Sequence, residues 1–160
     1  MNTRNWVIIH HTASFATDSS HQYDAVNRYH KDKGWGMIGY HYFLERDGTV
    51  KKGREEWQTG AHTYQWAMNY RSIGICLAGD FDKQDPSKAQ LDALYDLLTD
   101  VQLRNGIRDG HIKLHREFAH YKSCPGTRVS REFVNSIIFS RGMRKRIVVK
   151  PQPDLDPVHE

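Results

Sequence analysis

The sequence predicts an α/β (α+β) domain with a mixed central β-sheet flanked by helices. Three observations carry that expectation. Short apolar runs suited to strands alternate along the chain with segments of helical periodicity. A turn signal, Asp47-Gly48, separates two strand-like runs. The chain has 160 residues, 38% hydrophobic and 26% charged, which suits one globular domain with a real core.

Residues 5–11 read as a buried strand, because Trp6-Val7-Ile8-Ile9 is a large apolar run rich in β-branched residues. Thr17-Asp18-Ser19-Ser20 offers N-cap candidates for a helix reaching about Lys33. Tyr23, Val26 and Tyr29 recur every three residues on its face, and Gly34 ends it. Residues 39–53 read as a hairpin around Asp47-Gly48, and "SIGICLAG" (72–79) as a central strand. After Asp85-Pro86-Ser87, Leu91, Leu94, Tyr95, Leu98 and Val101 predict an amphipathic helix over 88–104. "HIKLH" (111–115) is a short strand, and 129–139 a final helix. We expect residues 1–140 to form one folded domain. Residues 141–160, basic and then proline-rich, are expected to be a flexible tail, disordered over 150–160.

Lys plus Arg is 23 and Asp plus Glu is 19, a formal charge of +4. This slight excess favours an anionic partner such as cell wall, nucleic acid or acidic lipid, without choosing among them. No run approaches the roughly 18 apolar residues of a membrane span. The four-residue apolar run near the start is too short for a signal peptide, so cytoplasmic synthesis is expected. Two cysteines, Cys76 and Cys124, make no disulfide framework, and a bridge between them is not expected.

Ten histidines make position decisive. In "WVIIHHTAS" (6–14) a strand ends in His10-His11. In "HIKLHREFAHYKSCPG" (111–126) His115 ends a strand, and Cys124 precedes a Pro-Gly turn. Zinc suits a mixed His/Cys set, and three protein ligands with a fourth position open is its catalytic arrangement. The paired CxxC clusters of a zinc finger are missing. Spacing alone does not bring His10 and His115 together. A strand-capping histidine, a core histidine and an inert buried thiol are the plain alternatives.

Six stretches, "VIIHHTAS", "YHKDKGW", "GYHYFLERDGTVKKGR", "GAH", "SIGICLAGDF" and "HREFAHYKSCPG", occur in this order. Together they resemble type 2 N-acetylmuramoyl-L-alanine amidases, a family that includes amidase-type phage lysozymes and peptidoglycan-recognition proteins. The resemblance covers roughly residues 5–139. It implies a peptidoglycan-recognition-protein-like fold with a site at strand ends. It implies one Zn2+ per chain held by His10, His115 and Cys124; the first histidine of the pair is the family's ligand, so His10 is chosen over His11. It also implies catalytic roles for Tyr40, in "GYHY", and Lys122, in "YKSC". Many cytosolic recycling amidases have an acidic residue in the tyrosine's place and Asp as third ligand, so this chain looks like the phage and recognition-protein branch. One departure is a loop between His115 and Cys124 one residue longer than in close phage relatives.

The activity implied is hydrolysis of the amide between N-acetylmuramic acid and L-alanine, in a phage or prophage endolysin that reaches the cell wall through a membrane pore. The partners implied are the stem peptide and muramic acid. Among candidate substrate contacts, His62 in "TGAH" ranks first. Asn69 and Arg71 are set against the peptide's carboxylates, and His41, with His11, lines or supports the site. His30 and Trp35 are read as packing. A non-catalytic wall-binding module is the alternative of another class, and the presence of Cys124 opposes it. An RNA polymerase partner, bound by some phage amidases, is a further alternative with no identifiable segment here. No nucleic-acid partner is expected, and the chain is expected to be a monomer.

Overall fold

Strand β1 (Trp6–His11) is paired along both edges and buried at every position after Trp6. The computed structural model of the chain describes residues 4–149, with side chains described through residue 140. Its five-stranded sheet has the order β3-β2-β4-β1-β5, with β2 (Tyr42–Leu44), β3 (Val50–Lys52), β4 (Ser72–Leu77) and β5 (Ile112–Leu114). β1 runs parallel to β4 and β5, and β2 parallel to β4. Only the β2–β3 hairpin is antiparallel, so the sheet is mixed as predicted. Its turn falls at Asp47-Gly48. Gly48 has φ 89°, a conformation costly for any residue with a Cβ.

Side chains alternate across a strand, so β1 serves two layers. Val7 and Ile9 join Ile73, Ile75 and Leu77 beneath helices α3 (Lys88–Asn105) and α4 (Arg131–Val149). On the opposite face Phe43, Cys76 and Ala78 pack with Tyr23 and Val26 of helix α1 (Tyr23–Asp32). Burial on both faces explains why β1 and β4 read as near-continuous apolar runs rather than alternating ones.

Helix α3 follows its sequence signals closely. The Ser87 side chain accepts from Gln90 N, and the Ser87 N–H donates to Gln90 Oε1, both at 3.0 Å. Gly106, at φ 65°, ends it. Helix α1 starts later than its cap candidates suggested. The amides of Gln22 and Tyr23 donate instead to the buried Glu45 carboxylate at 2.8 and 3.0 Å. A carboxylate at the end of β2 thus does the work of a local cap.

Two further differences stand out. The final helix continues from Arg131 to Val149, well past the predicted end at 139 and into the basic run read as tail. Residues 150–160 lie outside the described residues. A short helical segment, the 3-10 turn Gln65–Ala67 followed by α2 (Met68–Arg71), was not expected and leads into β4.

Candidate metal centre and active site

Alternation along β1 sends His10 and His11 to opposite faces. The His11 ring stacks on Phe81 of the α3-side core, and its Nδ1 accepts from Phe81 N at 3.1 Å. Its ring packs on the far side of the sheet, while the residue still lines the cleft over the site and donates its amide to Cys124. His10 faces the α1 side. There β5, beside β1, delivers His115, with ring centroids 4.4 Å apart. The loop after β5 returns Cys124, whose Sγ lies 3.7 Å from His10 Nδ1 and accepts from His11 N at 3.4 Å. Ligand atoms of His10, His115 and Cys124 all lie within 4.8 Å of one another. Both cysteines are free thiols.

These residues fit a zinc ion. His115 Nδ1 is buried and has no hydrogen-bond partner, a costly condition unless a ligand satisfies it. Burial, then the nearby His115, His62, His11 and Lys122, holds His10 well below the usual histidine range, so its ring is neutral and able to ligate. Burial, followed by Lys122 and His11, lowers His115 to about 4. Burial pushes the Cys124 thiol up to about 12. A bound cation reverses that preference, because a coordinating thiol is deprotonated.

Behind the cluster stands His62. Its Nδ1 is 2.9 Å from His10 Nε2 and 3.1 Å from Thr63 Oγ1. With His10 Nδ1 turned toward Cys124, the network assigns the His10 proton to Nε2, which donates to His62. The ring lies against two glycines. A Cβ on Gly60 would stand 2.6 Å from His62 Cδ2, and one on Gly74 would stand 2.7 Å away. Asn69 Oδ1 accepts from the amides of His62 and Thr63, both at 2.8 Å, and holds their loop.

A cleft of about 430 Å³ opens over the cluster, lined by His10, His115, Cys124, Tyr40, Lys122 and His62 among others. The Tyr40 ring centroid is 5.1 Å from that of His10. Burial, with Cys76 and Cys124 beside it, pushes the Tyr40 phenol well above its usual range, so it stays protonated. The structure therefore brings together His10, His115, Cys124, Tyr40, Lys122 and His62.

Three expected substrate contacts are not on that cleft. His41 is fully buried. Its Nδ1 accepts from Gly74 N at 3.0 Å, and Nε2 lies 2.9 Å from Gln58 O, so both ring nitrogens are committed to backbone. Asn69 is occupied by the loop amides. Arg71 is exposed and donates to Trp66 O at 3.2 Å, with its guanidinium over the Trp6 ring. Conversely Trp35, read as packing, touches His30 but also lines the cleft, together with Thr12 and Ala13.

Arg116, next to His115, went unrecognised in the sequence. It donates from Nη1 to Ser123 O at 3.1 Å and Gly126 O at 3.0 Å, and from Nη2 to Val129 O at 2.7 Å. Its own amide donates to Cys124 O at 2.8 Å. One residue thus ties the strand end bearing one candidate ligand to the loop bearing another. An arginine adjacent to His115 was the available signal, but its acceptors are backbone carbonyls that sequence does not identify.

A family model described as N-acetylmuramoyl-L-alanine amidase matches residues 1–127. The endolysin of Escherichia phage T7 is 36% identical over 105 residues, 62% of this chain and 66% of that protein, a little under two thirds of its length. Peptidoglycan-recognition protein SC2 of Drosophila melanogaster is 34% identical over 136 residues, 82% of this chain and 73% of that one. Among solved structures, the N-acetylmuramoyl-L-alanine amidase LysC from Clostridium intestinale URNW aligns with a TM-score of 0.73 at 26% identity, covering 85% of each chain. With the family match spanning most of its length, the chain belongs to the N-acetylmuramoyl-L-alanine amidase family.

Proposed function

We propose that this protein is a zinc-dependent endolysin that hydrolyses the amide joining the lactyl group of N-acetylmuramic acid to L-alanine in peptidoglycan. The observation that carries this reading is the convergence of two imidazoles and a thiol within 4.8 Å on the floor of an open cleft. His10, His115 and Cys124 would hold the metal. Zinc bound there supplies a Lewis acid that polarises a carbonyl and lowers the pKa of water toward neutrality.

The remaining groups position and stabilise. Lys122 stands on the cleft wall as a cation for the negative charge that develops on the carbonyl oxygen. Tyr40, kept protonated by burial, donates a hydrogen bond and orients the attacking water; a neutral phenol is a poor base. His62 holds the His10 ring through Nε2. The catalytic unit is taken to be residues 1–140. Phage origin is proposed from the likeness to the T7 endolysin, and with it action on the cell wall once the membrane is breached. No helix among the described residues is long and apolar enough to cross a membrane.

Recognition proteins among the relatives favour a second reading, in which the cleft binds wall fragments without cutting them. A solved complex of the recognition proteins LCa and LCx holds tracheal cytotoxin. One digestion separates the two readings. Purified peptidoglycan is incubated with the protein, with and without a chelator, and the products are read by mass spectrometry. The amidase reading expects stem peptides beginning in free L-alanine, and their loss on chelation. Cut glycan strands, or release indifferent to the chelator, would overturn it; binding without release would leave the recognition reading.

A further inference from the structure

Two chain segments that build the cleft also carry exposed aromatic residues that the hydrolytic chemistry does not use. Tyr64 is 73% exposed, Trp66 74% and Tyr121 72%. They come from two segments that also build the site. Tyr64 and Trp66 follow His62 in the loop before α2, and Tyr121 immediately precedes Lys122. The two segments are joined at the surface. The Tyr64 side chain hydrogen-bonds to that of Tyr121, and Gln65 Nε2 lies 3.4 Å from the Tyr121 hydroxyl. The Lys122 ammonium sits 5.9 Å from the Tyr121 ring centroid, so the patch is continuous with the cleft wall.

Trp66 is exposed and also sits on strained backbone. Trp66 and Ala67 both have φ 57°, in the left-handed region that residues with a Cβ avoid. The third such residue described, Ala13, lines the cleft itself. Strain of this kind persists where surrounding structure fixes it, and it gathers at binding and catalytic sites. A large exposed ring on strained backbone has the marks of a contact surface.

We propose that Tyr64, Trp66 and Tyr121 form a platform for the glycan strand of peptidoglycan, stacking against the sugar rings outside the scissile unit. This deepens the amidase reading and rests on it for the substrate. The scissile amide ties a short peptide to a long saccharide polymer. A cleft of about 430 Å³ can take the reacting unit but not the polymer, which must leave across a neighbouring surface. Pyranose rings present apolar C–H faces with hydroxyls at the rim. Tyrosine and tryptophan offer the matching pair, a flat apolar face and a polar edge. The stem peptide carries carboxylates, for which uncharged rings are poor partners. The tryptophan and tyrosine that line the cleft itself are already engaged: Trp35 has His30 beside its ring and Lys33 Nζ 4.5 Å from its centroid, and Tyr40 is buried against His10.

The test uses the full chain and two kinds of probe. The first is immobilised glycan strands stripped of stem peptides, which isolate the platform from hydrolysis. Wild-type protein is retained, Trp66→Ala weakens retention roughly tenfold, and Trp66→Phe, which keeps a flat ring, restores most of it. Equal retention of wild type and Trp66→Ala, or failure of wild type to bind these strands, overturns the platform. The second compares intact sacculi with a single-sugar N-acetylmuramoyl peptide. Trp66→Ala lowers kcat/KM roughly tenfold on sacculi and leaves the single-sugar substrate unchanged. An equal fall on both substrates also overturns it. If wild type cleaves neither substrate, the amidase reading fails, and retention on peptide-free strands still decides the platform.

Discussion

His10 Nε2 lies 2.9 Å from His62 Nδ1, while its Nδ1 lies 3.7 Å from Cys124 Sγ, so the two ring nitrogens face different partners. The donor hydrogen bond on Nε2 leaves Nδ1 as the lone-pair atom facing Cys124. Outer partners of this kind fix ring orientation and raise ligand basicity. The His62→Ala variant is expected to keep the three ligands yet bind zinc about 10–100-fold more weakly. Competition titration against a chromogenic chelator measures this. Unchanged affinity would show that the contact does not orient the ligand.

Lys122 and Cys124 sit two residues apart on one loop but are expected to fail differently. Lys122→Ala should retain stoichiometric zinc and lose about 10²–10³ in kcat, the loss typical of one oxyanion donor. Cys124→Ser should lose turnover and zinc together, because a hydroxyl is a poor replacement for a thiolate. Elemental analysis beside rate measurements on peptidoglycan separates the two. Normal kcat in Lys122→Ala would remove it from the mechanism.

The Arg116 guanidinium reaches three carbonyls of the Cys124 loop, at Ser123, Gly126 and Val129. Removing a charged donor leaves those carbonyls to find water or go unpaired. Arg116→Ala is expected to cost about 2–3 kcal/mol in folding stability, within the range for hydrogen bonds to charged groups. Urea unfolding of metal-free protein reads this without interference from the ion. Arg116→Lys should recover only part of the loss, since an ammonium lacks the planar fork that spans several acceptors. A midpoint equal to that of wild type in Arg116→Ala would show the clamp to be unimportant.

The sequence displayed whatever local chemistry determines. Helix α3 carries its capping box and terminal glycine within its own stretch, and the hairpin carries its Asp-Gly turn. Helix α1 began later than expected because its N-terminal amides are satisfied by Glu45, from a strand distant in sequence. The helical segment before β4 was invisible because Trp66 and Ala67 adopt left-handed conformations that neither residue type prefers. At the site, the family motifs named the metal-ligand candidates, and sheet pairing brings those three side chains together. His41 and His62 were indistinguishable as letters. Parallel pairing of β2 and β4 buries one against backbone, whereas the loop from Gly60 to Ser72 turns the other behind His10.

His41 also gives the fold a pH dependence. Burial, outweighing the hydrogen bond to Gln58 O, lowers its pKa to about 4, against about 6.5 in an unfolded chain. Below pH 6.5 the unfolded state therefore binds a proton that the native state refuses. The contribution of this group is fully present above pH 6.5 and is lost as pH falls toward 4. Between pH 7 and pH 5 its share amounts to about 1–2 kcal/mol. His30 is lowered to about 4 by burial and by Lys33 and Arg54, and acts in the same direction. Urea unfolding at a series of pH values should show falling stability over this window. His41→Gln is expected to be less stable than wild type at pH 7, because an amide cannot reproduce both ring contacts, but to lose less on acidification. Parallel stability curves for the two proteins from pH 7 to 5 would mean that His41 is not the group being titrated.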